Sequence, residues 1–278
     1  MGTSSDRSPP IAIFTLGRFE VSLNGEPLRF VFKVPRKPLA LLKALLAGGR
    51  QGVNQNSLCD SIWPDLEPWA AARALHITAF RLRALLESKT ALIVQEGRVA
   101  LDPEQCWVDA WEFEQSLGQA KDPAETQWAL RFYRGTFLTD ADHPLVIETR
   151  DRLSCKFIRS VSQLGTSYER IGDIQSAIDL YLMALDADGG CEELHQALMR
   201  CLASEGQPSA VAAAYHRCRS ALQRNFGTEP SAATEQIYRQ ACPDGTPRLT
   251  QDAHQRSING HRSTGEAASG PTGSMTGC

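Results

Sequence analysis

The spacing of hydrophobic positions changes along the chain, and each change predicts a different kind of element. Over residues 11–32 three short apolar-rich runs, 11–16, 19–24 and 27–32, read as strands, and 19–24 shows the period of two expected of a half-buried strand. Asn24-Gly25, between the second and third runs, predicts a two-residue hairpin turn, because both residues accept positive φ. The period then lengthens. Pro38 opens the leucine-rich LALLKALLA, a helix that Gly48-Gly49 should stop. A short helix is predicted over 56–63, with Asn54 or Asn56 as N-cap and Pro64 as terminator. A third helix is predicted over 71–87. Beyond it, 91–94 and 98–101 flank Gln95-Glu96-Gly97 and predict a second hairpin.

From Val108 onward the strand signal disappears. Helices are predicted over 107–117, 123–133, 145–171, 174–186, 192–205, 209–226 and 231–240. Trp107 and Trp111, four residues apart, are expected to anchor the first of these helices to the N-terminal half. An offset of 34 residues relates Leu164 to Leu198, Gly172 to Gly206, Tyr181 to Tyr215 and Ala184 to Cys218, the period of tetratricopeptide repeats. Leu164-Gly165, Tyr168, Ala177, Tyr181 and Ala184 meet that repeat's spacing, whereas the second unit has Met199 where the first has Gly165. The expected fold class is therefore mainly α, an α+β helix-turn-helix with a hairpin wing followed by an all-α, tetratricopeptide-like half.

The helix predicted over 71–87 has two unlike faces. Leu75, Ala79, Leu82 and Leu86 follow the spacing of a stripe pressed onto a core. Opposite lie Arg73, Ile77, Phe80 and Arg81, with Ala70, Ala74 and Ala84 between them, His76 and Arg83 on one flank and Thr78 on the other. No acid interrupts this face before Glu87. Arginines among small and apolar residues suit the major groove of double-stranded DNA, where guanidinium groups meet phosphates or guanine edges and apolar side chains meet thymine methyls. An alanine-rich helix carrying a few arginines fits a helical bundle as well, and there the face would meet protein.

Charge is uneven in a way that agrees with two modules. Residues 1–104 carry 13 Lys+Arg against 10 Asp+Glu, and residues 105–241 carry 13 against 19, so a mildly basic head precedes an acidic body. The expected division is a lead over 1–10, a DNA-binding module over 11–104, a helical module over 105–241 and a tail over 242–278, where Gly, Ser, Thr, Pro and His accumulate and disorder is expected. The polar start MGTSSDRSPP has no secretory apolar core, and no apolar run is long enough to cross a bilayer. The eight cysteines form no CxxC pair and have no histidine at zinc-finger spacing. A reduced, cytoplasmic protein without membrane, metal or cofactor is expected. No phosphate-binding G-x-x-x-x-G-K-[ST], no G-x-S-x-G and no H-E-x-x-H occurs, so no enzymatic activity is expected.

The order FTLGRFEVSLNGEPLRF, RKPLALLKALLA, LCDSIWPD, RALHITAFRLRALLE and VDAWEFE resembles an OmpR/PhoB-type winged helix joined to a bacterial transcriptional activator domain, as in SARP-type regulators. Phe132-Tyr133-Arg134-Gly135 is similar to that domain's LYRG, and GTEPSAATEQIYRQ to its closing segment, so the likeness spans roughly residues 11–241. The resemblance implies a DNA-binding transcriptional regulator, an activator, cytoplasmic and associated with the bacterial nucleoid when bound. It makes 71–87 the recognition helix and matches Arg73, Thr78, Arg81 and Arg83 to positions that contact bases or phosphates. Phe80 departs from the basic or small polar residue common there, and the short wing carries Glu96, which leaves Arg98 as its one candidate contact. Pro64, Asp65, Leu66 and Glu67 correspond to a loop that can face RNA polymerase, and pairing on repeated half-sites implies a homodimer. The sequence shows neither a receiver domain nor a nucleotide-binding ATPase. An interaction adaptor, with a tetratricopeptide-like scaffold and a winged helix turned to protein binding, is the alternative of a different class.

Overall fold

In the computed structural model, which describes residues 9–29 and 34–243, β1 (Ile11–Phe14) pairs antiparallel with β2 (Glu20–Leu23), and β2 with β3 (Glu26–Pro27). Asn24 and Gly25 both take positive φ, 51° and 89°, and bring Leu23 opposite Glu26, so the predicted hairpin forms. The third predicted run reaches Phe32, and its last three residues lie outside the described residues.

Three helices follow. α1 (Arg36–Ala47) buries Leu41, Leu42, Leu45 and Leu46 on one stripe. A 3-10 turn, Gly49–Gln51, leads to β4 (Val53–Asn54) and α2 (Gln55–Ile62). Of the two asparagines the sequence offers as cap, Asn54 takes the role, its side chain accepting from the Asn56 N–H at 2.8 Å. α3 (Pro68–Leu85) begins earlier than expected, because Pro68 already has the φ of a first helical residue. Next, β5 (Leu92–Gln95) and β6 (Arg98–Leu101) make the second hairpin around Glu96 and Gly97, both at positive φ. Gln95 belongs to the strand rather than the turn, opposite Arg98. The other neighbour of β6 is β4, giving the order β4-β6-β5. Gly52 sits where this sheet crosses the 3-10 turn, and an added Cβ would run into the Val99 carbonyl, so only glycine fits.

At Trp107 the chain departs from the expected helix. Residues Cys106–Val108 form a strand, β7, rather than the first turn of a helix, and β7 lies parallel to β1 in a four-stranded sheet ordered β3-β2-β1-β7. Trp107 therefore projects from a sheet, where it meets Phe14 edge-on at 5.4 Å and Phe132 at 6.3 Å, and it shares no helix with Trp111. Both indoles still touch the N-terminal half, since the Arg50 guanidinium lies 6.0 Å from the Trp111 ring.

The remaining chain is helical: α4 (Asp109–Gln119), α5 (Pro123–Leu130), α6 (Pro144–Ile171), α7 (Ile174–Ala187), α8 (Glu192–Ser204), α9 (Pro208–Phe226) and α10 (Ala232–Ala241). Phe113, Tyr133 and Phe157 are fully buried together, with Tyr133 stacked on Phe157 at 4.1 Å. From α6 to α10 each helix packs on the next in sequence. The residues related by 34 positions occupy like environments: Leu164 and Leu198, Tyr181 and Tyr215, and Ala184 and Cys218 are all buried, and Gly172 and Gly206 both end helices at positive φ. Among the described residues one hydrophobic cluster runs without a break from Ile11 to Tyr215. The fold is mainly helical, with its small sheets at the N-terminal end.

Candidate nucleic-acid interface

Helix α3 buries Ala71, Leu75, Thr78, Ala79 and Leu82 against α1 and α2. At 3.6 residues per turn that leaves Trp69, Ala72, Arg73, His76, Ile77, Phe80, Arg81 and Ala84 exposed, one continuous stripe along the helix. Trp69 is 72% exposed and Phe80 71%, unusual values for rings this large. Neither Arg73 nor Arg81 has a hydrogen-bond or ion-pair partner among the described residues. No acidic residue interrupts the stripe within α3. The stripe is therefore cationic and aromatic at once.

Among the expected contact residues, Arg73, His76, Ile77, Phe80 and Arg81 share this exposed stripe. Thr78 does not. It is 6% exposed and faces the core, which follows from its place three residues after Leu75 and four before Leu82. Arg83 is half-buried and donates to the Leu92 carbonyl at 3.1 Å, so it ties the last turn of α3 to β5. Arg98 is likewise engaged within the chain. Its Nε donates to the Gln51 carbonyl at 3.0 Å and a terminal nitrogen to the Gly52 carbonyl at 2.7 Å, which pins the hairpin to the 3-10 turn. These two arginines hold the hairpin beside the helix and have fewer donors left for a ligand.

Pro64, Asp65, Leu66 and Glu67 are all exposed in the connection between α2 and α3. Lys37 steadies that connection by donating to the Ile62 carbonyl at 2.6 Å and lying 5.6 Å from the Trp63 ring. Pro68 opens α3, so Trp69 lies on the helix and belongs to the exposed stripe.

Cys106 and Cys218 are buried thiols, each pushed up to about 12 by burial first and a neighbouring carboxylate second, and are poor nucleophiles for that reason. No group of three or more His, Cys, Asp or Glu side chains among the described residues is placed to hold a metal ion. No described helix is long and apolar enough to cross a membrane.

Residues 108–241 match the family model described as bacterial transcriptional activator domain, just under half of the chain. No curated protein matches. A solved structure of Mycobacterium tuberculosis EmbR in complex with a low-affinity phosphopeptide has a similar fold, with a TM-score of 0.55 at 18% identity, over 86% of this chain and 67% of that one.

Proposed function

We propose that the chain is a SARP-type transcriptional regulator, an activator, that inserts α3 into the major groove of double-stranded DNA. The observation that carries this reading is the exposed stripe of α3, where Arg73 and Arg81 stand without protein partners beside a hairpin that Arg83 and Arg98 fix in place. An unpaired guanidinium is a ready donor to phosphate or to the N7 and O6 edge of guanine. Arg73 and Arg81 are two helical turns apart, a spacing that lets one meet backbone while the other meets a base. Phe80 and Ile77 then offer apolar surface to thymine methyls.

In this reading residues 11–104 form an OmpR/PhoB-type winged helix, 105–241 a tetratricopeptide-like activator domain, and the protein acts in the bacterial cytoplasm. Strand β7 then belongs to the winged helix as its parallel edge although it lies past residue 104. The consecutive packing of α6 to α10 and the matched environments of residues 34 apart support the repeat assignment. Two copies on repeated half-sites would supply the affinity one module lacks. The exposed loop of Pro64, Asp65, Leu66 and Glu67 lies beside α3 and is the proposed contact to RNA polymerase.

Selection of bound duplexes from a random library at moderate salt tests the reading: it should enrich one motif. A second reading rests on the exposures of Trp69 and Phe80, which suit a protein partner as well as a groove. Recovery of no motif, with binding no stronger than the charge of the stripe explains, would favour that adaptor role.

A further inference from the structure

A groove runs between the end of α1, helix α4 and helix α6, away from the α3 stripe. One part, about 770 Å³, is lined by Gly49, Arg50, Gln51, Trp111, Glu114 and Arg152. A second part of about 470 Å³, which shares Arg152 with the first, is lined by Leu117, Cys155, Lys156 and Arg159. Arg152, Lys156 and Arg159 are spaced i, i+4 and i+7 on α6 and share one face.

The charge of this groove is out of keeping with its half of the chain, where acids outnumber bases 19 to 13 over 105–241. Four cations line it, and Glu114 is the single lining carboxylate. Glu114 accepts from both Lys156, at 3.0 Å, and Arg152. Burial alone would raise the Glu114 carboxyl, and the hydrogen bonds and charges of those two cations outweigh it, so Glu114 is held below its ordinary range as a fixed anion. One carboxylate is thus shared by two cations, and Arg50 and Arg159 have no ion-pair partner among the described residues. The Arg50 guanidinium is placed instead by the Trp111 ring. Trp111 itself is 6% exposed, and its indole N–H has no acceptor among the described residues, a cost that a buried donor seldom carries without reason.

We propose that this groove binds a small phosphorylated polyanion, held by Arg50 at one end and Arg159 at the other and bridging the N-terminal sheet-and-helix half to α6. Guanidinium forks match phosphate oxygens bidentately, and a surplus of cations over the one carboxylate calls for more than a single negative charge. The concavity selects a small ligand: pockets of this volume suit a metabolite, whereas a duplex about 20 Å across meets convex surfaces and grips through protruding side chains. The Gln51 carbonyl that anchors Arg98 lies on the groove's rim, one residue from Arg50, so a bound ligand would sit beside the anchor of the β5–β6 hairpin.

The test is calorimetric titration of the full chain with pyrophosphate, in the absence of DNA, and it does not depend on the function proposed above. Saturable one-to-one binding is expected. Arg50→Gln and Arg159→Gln should each weaken it at least about tenfold, the loss typical of a charge-assisted hydrogen bond, with melting temperatures unchanged. Arg170→Gln, on the same helix but outside the groove, should leave it alone. No saturable heat with pyrophosphate overturns the proposal, as does equal weakening by Arg170→Gln. A parallel titration with a random-sequence duplex separates the two sources of phosphate. Duplex binding that depends on Arg50 and Arg159, without any pyrophosphate binding, would assign the groove to the nucleic-acid backbone and overturn the small-ligand site.

Discussion

Thr15 and Asp109, 94 positions apart, are joined through both main chain and side chain. The Thr15 N–H lies 2.8 and 2.9 Å from the two Asp109 carboxylate oxygens, and the Thr15 hydroxyl donates to one of them at 2.6 Å. Leu16 adds an N–H at 3.1 Å and Ala110 one at 2.8 Å. The carboxylate opens α4, where the helix dipole favours an anion, and it gathers donors from the end of β1. The N-terminal sheet and the helical half are thereby tied at one buried point, next to the bridge between Leu16 and Phe137.

Burial pushes the Asp109 carboxyl up, and the hydrogen bonds, that from Thr15 foremost, pull it part of the way back. Thr15→Val keeps the shape and removes the hydroxyl donor. It should cost about 1–3 kcal/mol in urea unfolding and move the Asp109 titration higher still. Since the folded group keeps its proton longer than the unfolded one, its contribution favours the fold at low pH and is lost as pH rises through that raised range. An unchanged unfolding midpoint in the valine variant would mean that the hydroxyl contributes nothing.

Two histidines set the opposite trend at higher pH. Burial lowers both His143 and His195 below the ordinary 6.5. His143 caps α6 by accepting from the Leu145 N–H through Nδ1, which requires that nitrogen to be unprotonated. His195 faces the Gly189 carbonyl at 3.1 Å through Nε2, and its buried Nδ1 has no partner for a second proton. The unfolded chain therefore binds protons that the folded chain refuses. Stability should be full above about pH 6.5 and fall as pH drops below it. Melting temperatures recorded between about pH 5 and 7.5 check this, and a His143→Asn, His195→Gln double variant, which keeps a cap and a donor, should flatten the slope.

Gly165 packs against the hydroxyl end of the Tyr181 ring, whose hydroxyl donates to Glu169 at 2.6 Å and so holds the ring in place. An added Cβ would lie 2.3 Å from the Tyr181 hydroxyl oxygen and 2.4 Å from the ring carbon that bears it. Gly165→Ala gains about 1 kcal/mol of helix propensity but should lose about 1–3 kcal/mol to overpacking, for a net loss in denaturant unfolding. Stabilisation instead would show that α6 and α7 can move apart.

Arg98→Gln should loosen the β5–β6 hairpin, because the amide cannot reach both the Gln51 and Gly52 carbonyls. Faster amide exchange at Val94, Gln95 and Gly97, with the core unchanged, is the expected sign. Exchange identical to the parent would return Arg98 to the pool of free contact residues.

Periodicity made most of the local structure legible. The Asn24-Gly25 turn, the Asn54 cap and the helices from α5 to α10 all follow from residues close in sequence. Long-range pairings were not legible. β7 is three residues of a strand whose partner lies some 95 positions earlier, and two tryptophans four apart imitate a helix face there. Nor does any local pattern announce that Asp109 meets Thr15, or that Arg83 and Arg98 spend donors on carbonyls of the same chain. Thr78 is a different matter, since its spacing from Leu75 and Leu82 already put it on the packed side of α3.

The central claim, that the α3 stripe enters DNA, is tested most directly by salt-dependent binding of a selected duplex to Arg73→Ala and Arg81→Ala. Where Arg81 reads a base, its loss should cost roughly 1–3 kcal/mol on the selected site and little on unrelated DNA. Where Arg73 holds a phosphate, its loss should weaken all duplexes alike and reduce the salt slope by about one. Both variants binding the selected duplex as the parent does, at every salt concentration, would contradict the account.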